Sequence, residues 1–300
     1  MAKARSSRIL ISGASGFIGT ELVRQLESEG HTVLKLVRSK PHHSNEFHWA
    51  PSAGMIDHGL FETVDAVVNL SGASTGRLPW TAKYKQQIRS SRVDTTRTLA
   101  NAISMARNPP PVFLNGSAVG IYGDRPGEDL TESSDRGTGF FPDVVDAWES
   151  ATGLAPAATR VVHMRTGVVV GHGGAFTPLL PLTRCGLGAR FGTGEQYWPW
   201  VSLYDEVAAI RHLLTSRLSG PVNLVGPTPA TSNDITSQLA ERMHRWYRLA
   251  VPAGLIRGVL GEAGDALLLS SEKVAPAKLL ADGFEFRHET AGQAIAAMLA

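Results

Sequence analysis

Three glycines at a spacing of three, Gly13, Gly16 and Gly19 in RILISGASGFIGTELVRQLESEG, follow an apolar run and open a helical pattern that ends at Gly30. Their chemistry would be the holding of a pyrophosphate. Gly13 makes the tight turn, Gly16 lets backbone approach the phosphates, and Gly19 permits close helix-strand packing. The first helical amides and the positive end of the helix dipole then face the anion. Ser15, Phe17 and Ile18 complete the cofactor-contacting turn. The next apolar run, HTVLKLVRS, ends in Arg38, where a site preferring NAD would carry an acidic residue for the ribose hydroxyls. A guanidinium there pairs with a 2′-phosphate, so the expected cofactor is NADP(H). The alternative is a solvated arginine in a neighbourhood already basic from Ser39, Lys40 and His42. His42, His43 and His48 lie close in sequence but lack the spacing and the second carboxylate of a metal site, so no metal is expected.

These residues need a frame, and the first half of the chain supplies its pattern. Short β-branched runs (RILIS, HTVLKLV, DAVVNL, PVFLNGS, RVVHMRTGVVV) alternate with helical stretches, the longest being KYKQQIRSSRVDTTRTLANAISMA. That alternation predicts an α/β fold with a doubly wound, Rossmann-like parallel sheet covered on both faces. After Gly171 the texture turns rich in Gly, Pro and aromatics, and a helix (VSLYDEVAAIRHLLTS) and a strand (PVNLVG) then return to the sheet. The expected division is a dinucleotide-binding domain over 1–170 with 200–226 returning to it, and a smaller substrate lobe from 171–199 and 227–300. QYWPW, at the junction, could stack its aromatics on a ring or a sugar face, or tuck Trp198 and Trp200 into the interface between the two parts.

At 300 residues and 43% hydrophobic content, the chain can bury one large core or two unequal ones. A net charge of +2 with basic residues scattered among acids argues against a nucleic-acid partner. No apolar run approaches a membrane span, and a lone cysteine, Cys185, with no signal-like segment points to the cytoplasm.

GASGFIG, NLSGAS (69–74), SSRVDTTRTL (90–99) and SAVGIYGD (117–124) together resemble the extended short-chain dehydrogenase/reductase superfamily. WPWVSLYDEV (198–207), PVNLVGPTPATSNDI (221–235) and VAPAKLLADGFEF (274–286) are similar to its atypical "epimerase family protein" branch, which carries its own short C-terminal domain. The resemblance implies that Leu70 and Ser71 line the adenosine and phosphate channel, that Arg92 reaches the cofactor from the long helix, and that Arg165 and Val169 lie beside the nicotinamide. For Arg165 the alternative is a core salt bridge. It also implies a serine at Ser117 and a Tyr-x-x-x-Lys pair on the following helix, the lysine lowering the tyrosine's pKa for proton transfer during hydride transfer.

Counting back from Glu149 in FFPDVVDAWE puts Val145 at the lysine position and Phe141 at the tyrosine position. Neither moves a proton. Ser117 remains to orient a substrate oxygen, and Tyr122 in GIYGD or water is the candidate replacement acid. His163 reads as a packed core histidine and Asp205 as an anchor of the returning helix. Two functions follow: an NADP(H)-dependent oxidoreductase or epimerase-like enzyme on a small organic substrate, or an NADP(H)-binding sensor or scaffold without catalysis. The resemblance also implies a dimer through the long helices, which the unusual surface of the FFPDVVDAWE helix leaves open.

Overall fold

The computed structural model describes residues 6–300. Strand β1 (Arg8–Ser12) leads through the glycine turn into helix α1 (Phe17–Ser28), then β2 (Thr32–Val37), a short edge strand β3 (Glu46–His48) and β4 (Ala66–Asn69). Helix α2 (Ala82–Met105) follows, capped by the Thr81 hydroxyl, and leads into β5 (Val112–Ala118), a two-residue β6 (Asp129–Leu130), α3 (Phe140–Ser150) and β7 (Arg160–Thr166). Strands β1 to β5 and β7, with β11 (Gly220–Leu224), build a seven-stranded parallel sheet in the order β11-β7-β5-β4-β1-β2-β3. The order reverses at β1, and the crevice at the carboxyl ends of β1 and β4 is where such folds hold ligands. Both faces are covered: Ile9 and Ile11 pack on one side with Leu22, Leu26 and Ile210, and Leu10 on the other with Leu99, Ile103 and Phe113.

The run RVVHMRTGVVV does not continue as one strand. At Gly167 it leaves the main sheet, and β8 (Val168–Val170) pairs instead with β10 (Trp200–Ser202). A side chain at 167 would collide with the Pro199 carbonyl, so glycine is the residue that lets the two segments cross. Between them lie α4 (Phe176–Arg184) and β9 (Gly188–Phe191). Helix α5 (Leu203–Thr215) then returns against α1.

The remaining elements are α6 (Ser232–Arg242), β12 (Tyr247–Val251) paired with β9, α7 (Ala253–Leu260), α8 (Glu262–Gly264), β13 (Lys273–Val274) paired with β6, α9 (Ala277–Ala281) and α10 (Ala291–Leu299). Phe176, Trp198, Trp200, Ile235, Leu239 and Ile295 form their core, so both tryptophans of QYWPW are buried. The stretch AGLIRGVLGEAGDALLL, continuous in its pattern, is interrupted at Gly261 (φ 56°) and ends in a π turn over Asp265–Leu269. Asp205 anchors the chain's end. Its carboxylate accepts from the Ser202 hydroxyl and from the backbone amides of Arg287 and His288, at 2.6, 2.8 and 3.1 Å. No helix among the described residues is long and apolar enough to cross a membrane.

Candidate functional site

The glycine turn has the geometry its spacing predicts. Gly13 has φ 74°, and a Cβ there would lie 2.6 Å from the Leu70 carbonyl. At Gly19 a Cβ would run into the Gly13 carbonyl, which is the close helix-strand contact glycine permits. Gly16 is the N-cap of α1 and no side chain caps the helix, so its first amides stay available at the crevice. Ser15 and Gly16 are exposed, whereas the Phe17 ring turns toward Gly171 and Gly173, where a Cβ would sit 2.5 and 2.6 Å from it.

Beneath the turn lies a buried polar network that sequence reading did not single out. Ser12 Oγ donates to Asn69 Oδ1 at 2.6 Å, and Asn69 Nδ2 donates to Asn115 Oδ1 and Thr96 Oγ1 at 2.8 and 3.0 Å. The same Asn69 oxygen accepts the Ser71 amide at 3.2 Å. Three strands and α2 are thereby fixed at the switch point, and with them the loop of Leu70 and Ser71.

Arg38 is exposed directly after β2. Arg92 reaches inward from α2, with its guanidinium 5.1 Å from the centroid of the Trp148 ring and beside Gly72 of the loop after β4. Its one hydrogen bond runs to the Ile88 carbonyl at 2.9 Å, and no carboxylate pairs with it among the described residues. Burial lowers its pKa to about 10. A desolvated cation without a counter-charge, next to the crevice loop, is suited to an anion. Val169, by contrast, is buried in β8 opposite Val201.

Ser117, Tyr122 and Arg165 are brought together by register and by a residue not assigned a role from sequence, Glu149. Ser117 on β5 lies opposite Arg165 on β7. Ser117 Oγ donates to Glu149 Oε1 at 2.5 Å, and Arg165 grips the same carboxylate through Nε and Nη2, both at 2.9 Å. Arg165 Nη1 donates to the Tyr122 hydroxyl at 3.0 Å, and that hydroxyl donates to Asn223 Oδ1 at 2.7 Å. Asn223 in turn donates to the Ala275 carbonyl at 2.9 Å. Arg165 is therefore a core salt-bridge arginine. Burial alone would raise the Glu149 pKa, but the Arg165 hydrogen bonds and charge outweigh it and hold the carboxyl below its usual range. Burial pushes the Tyr122 phenol up, against the pull of Arg165. His163 is partly buried, with Nε2 2.9 Å from Thr152 Oγ1 and Nδ1 3.6 Å from Glu149 Oε2, and burial lowers its pKa.

The two vacated positions are filled by packing. Phe141 meets Trp80 edge-to-face at 5.1 Å beside Phe140, and Val145 is closed in an apolar cluster with Val119, Val225 and Val274. Glu149 lies four residues beyond Val145, on the same face of α3. That spacing was the available signal for it.

A family model described as NAD dependent epimerase/dehydratase family matches residues 9–226, and a domain of unknown function, DUF1731, matches 251–298. An epimerase family protein of Mycobacterium leprae is 40% identical over 299 residues, spanning 98% of this chain and 97% of the relative. The crystal structure of the human epimerase family protein SDR39U1 with NADPH superposes with a TM-score of 0.89 at 30% identity, over 97% and 98% of the two chains. A nucleoside-diphosphate sugar epimerase from Corynebacterium glutamicum superposes at 0.81 and 32% identity, over 98% of this chain and 58% of that one. Turn, sheet order and sequence agree: this chain belongs to the NAD dependent epimerase/dehydratase family.

Proposed function

We propose that this protein is an NADP(H)-dependent oxidoreductase that acts on a small organic molecule at the carboxyl ends of β4, β5 and β7, without a Tyr-Lys pair. The observation that carries the reading is the Gly13 cradle at the switch point, followed by Arg38 in place of an acidic residue. The NADPH in the human relative's structure supports the same cofactor. The glycine turn and α1 would hold the pyrophosphate, Leu70 and Ser71 the channel wall, Arg38 the 2′-phosphate and Arg92 a further anionic group. When bound, the nicotinamide supplies or accepts the hydride.

Ser117 is the residue we place against the substrate oxygen. Tyr122 has its proton on Asn223 and its lone pair on Arg165, so in this reading it positions Arg165 rather than touching substrate. The test is a titration with NADPH and with NADH, following energy transfer from tryptophan to the reduced nicotinamide. Tighter binding of NADPH, lost in Arg38→Ala, is the expected result, and absence of binding by either nucleotide overturns the reading.

Phe141 and Val145 favour a second reading, a sensor that binds NADP(H) without turnover. Oxidation of bound NADPH by any member of a carbonyl, enone and sugar-nucleotide panel rules it out.

A further inference from the structure

Two arginines reach toward the carboxyl ends of β4, β5 and β7, and they are paired differently. Arg165 closes the Nε–Nη2 edge of its guanidinium on Glu149. The same edge of Arg92 meets no carboxylate of the described residues, and only Nη1 is engaged, by the Ile88 carbonyl at 2.9 Å. Nε and Nη2 are nevertheless not sealed in, since the sealed and unpartnered side-chain atoms among the described residues are Trp148 Nε1 and Glu206 Oε2. They open at Gly72, an exposed residue of the loop after β4, where a Cβ would stand 3.2 Å from Arg92 Cζ. Glycine at that position leaves the guanidinium reachable from the crevice. The Trp148 ring, its centroid 5.1 Å from the guanidinium, steadies it by a cation–π contact. Trp148 is 7% exposed and its Nε1 has no acceptor, so the two side chains together present N–H donors that nothing in the described chain satisfies.

The strand order indicates whose acceptor belongs there. Arg38 follows β2, the glycine turn follows β1, and Gly72 follows β4, with Trp148 packed on Gly116 of β5. Neighbouring strands lie about 4.8 Å apart, so Gly72 is two strands, about 10 Å, across the sheet from the end of β2. A dinucleotide laid along these ends puts its 2′-phosphate at Arg38 and its pyrophosphate at the glycine turn. Its remaining part, the nicotinamide and its ribose, carries no negative charge. The anion that Arg92 is built to meet therefore comes with the substrate.

We propose that the substrate carries a carboxylate and that Arg92 binds it side-on through Nε and Nη2, as Arg165 binds Glu149. Two parallel N–H groups fit the two oxygens of a carboxylate, and one guanidinium matches its single charge. The inference rests on the oxidoreductase reading above. It names the charged group of the substrate and gives Arg92 to the substrate, where the family resemblance gives it to the cofactor.

The test follows binding of benzoate, benzamide and phenyl phosphate to the NADP+ complex by ligand-observed NMR. Benzoate should bind about tenfold or more tightly than benzamide, the order of a charge-assisted bidentate contact, and Arg92→Met should erase the difference. The variant should fold, because it removes a desolvated charge that has no counter-charge. Gly72→Ala, which sets a methyl against the guanidinium without a strained backbone, should reduce the benzoate preference as well and carries the test if Arg92→Met does not fold. Equal binding of benzoate and benzamide, binding of neither, or a preference that persists in Arg92→Met overturns the proposal. Tighter binding of phenyl phosphate than of benzoate, lost in Arg92→Met, overturns the carboxylate in favour of a phosphate. NADPH affinity should be unchanged in Arg92→Met, and its loss there returns the arginine to the cofactor and overturns the proposal too. Failure of NADP+ to bind at all removes the oxidoreductase reading, and an Arg92-dependent benzoate preference in the apo protein distinguishes that outcome from an error about the arginine.

Discussion

Glu206 on α5 is fully buried, with Oε1 accepting from Thr166 Oγ1 at 2.8 Å and Oε2 without a partner among the described residues. Burial raises its pKa from 4.5 to about 8, against a small opposing effect of Thr166. Between those two values the folded protein holds a proton that the unfolded chain has released. Stability therefore falls as pH rises through the window, by about 1.4 kcal/mol per unit and about 5 kcal/mol across it. Glu206→Gln keeps the shape and the Thr166 contact and removes the titration. Urea unfolding of the two proteins should give stabilities within about 1 kcal/mol of each other near pH 5, since each then buries one neutral, unpartnered donor group at the same place, a hydroxyl or an amide NH2. The difference should grow in favour of the variant to about 4 kcal/mol near pH 9. Glu272, also raised to about 8 by burial, is present in both proteins and cancels in the difference. A difference curve flat from pH 5 to pH 9 would refute the buried neutral carboxyl.

Other outcomes follow from single contacts. Glu149→Gln strips the counter-charge from Arg165 and should cost about 3–5 kcal/mol at neutral pH in chemical denaturation. Because the Glu149 pKa is lowered in the fold, its stabilisation is present above the ordinary carboxyl range and is lost as pH falls through the folded value, so the variant and wild type should converge in acid. Val145→Lys puts an unpaired ammonium into an apolar cluster and should cost about 3 kcal/mol or more, read as a fall in Tm; installing the lysine alone does not restore a proton donor. Gly13→Ala strains a left-handed backbone and drives a methyl at the Leu70 carbonyl, so nucleotide binding should be lost along with about 1–3 kcal/mol of stability. Lys85→Met, which breaks a partly exposed ion pair with Glu262, should change stability by less than about 1 kcal/mol.

The parts of this molecule that could be read from sequence are those whose causes are local. The glycine turn lies between its own strand and helix, and the apolar runs that become β1, β2, β4 and β5 carry their burial in their composition. The Glu149–Arg165 pair joins a helix to a strand across a connecting loop, and only the register of β5 with β7 brings Ser117 to it. The departure of β8 from the sheet has its reason at Pro199, and glycine at 167 gives no local hint of that neighbour. The pairing of β9 with β12 and the grip of Asp205 on Arg287 and His288 are likewise made between residues far apart in the chain. Phe141 and Val145 were legible as absences; what replaced them was not, because aromatic packing with Trp80 leaves no motif.

The hydrogen-bond line from Ser117 through Glu149, Arg165, Tyr122 and Asn223 ends on the carbonyl of Ala275, inside the segment matched to the domain of unknown function. The backbone amides of Asn223 and Lys278 share Glu132 Oε1. For the gene this makes the two segments one heritable unit. A recombinant keeping the nucleotide-binding part and acquiring a different tail would inherit the phosphate turn intact, but Asn223 would lose the carbonyl that fixes its amide, and with it the orientation of every group back to the serine. Drift in the tail is thereby felt in the orientation of a serine more than a hundred residues upstream in the chain.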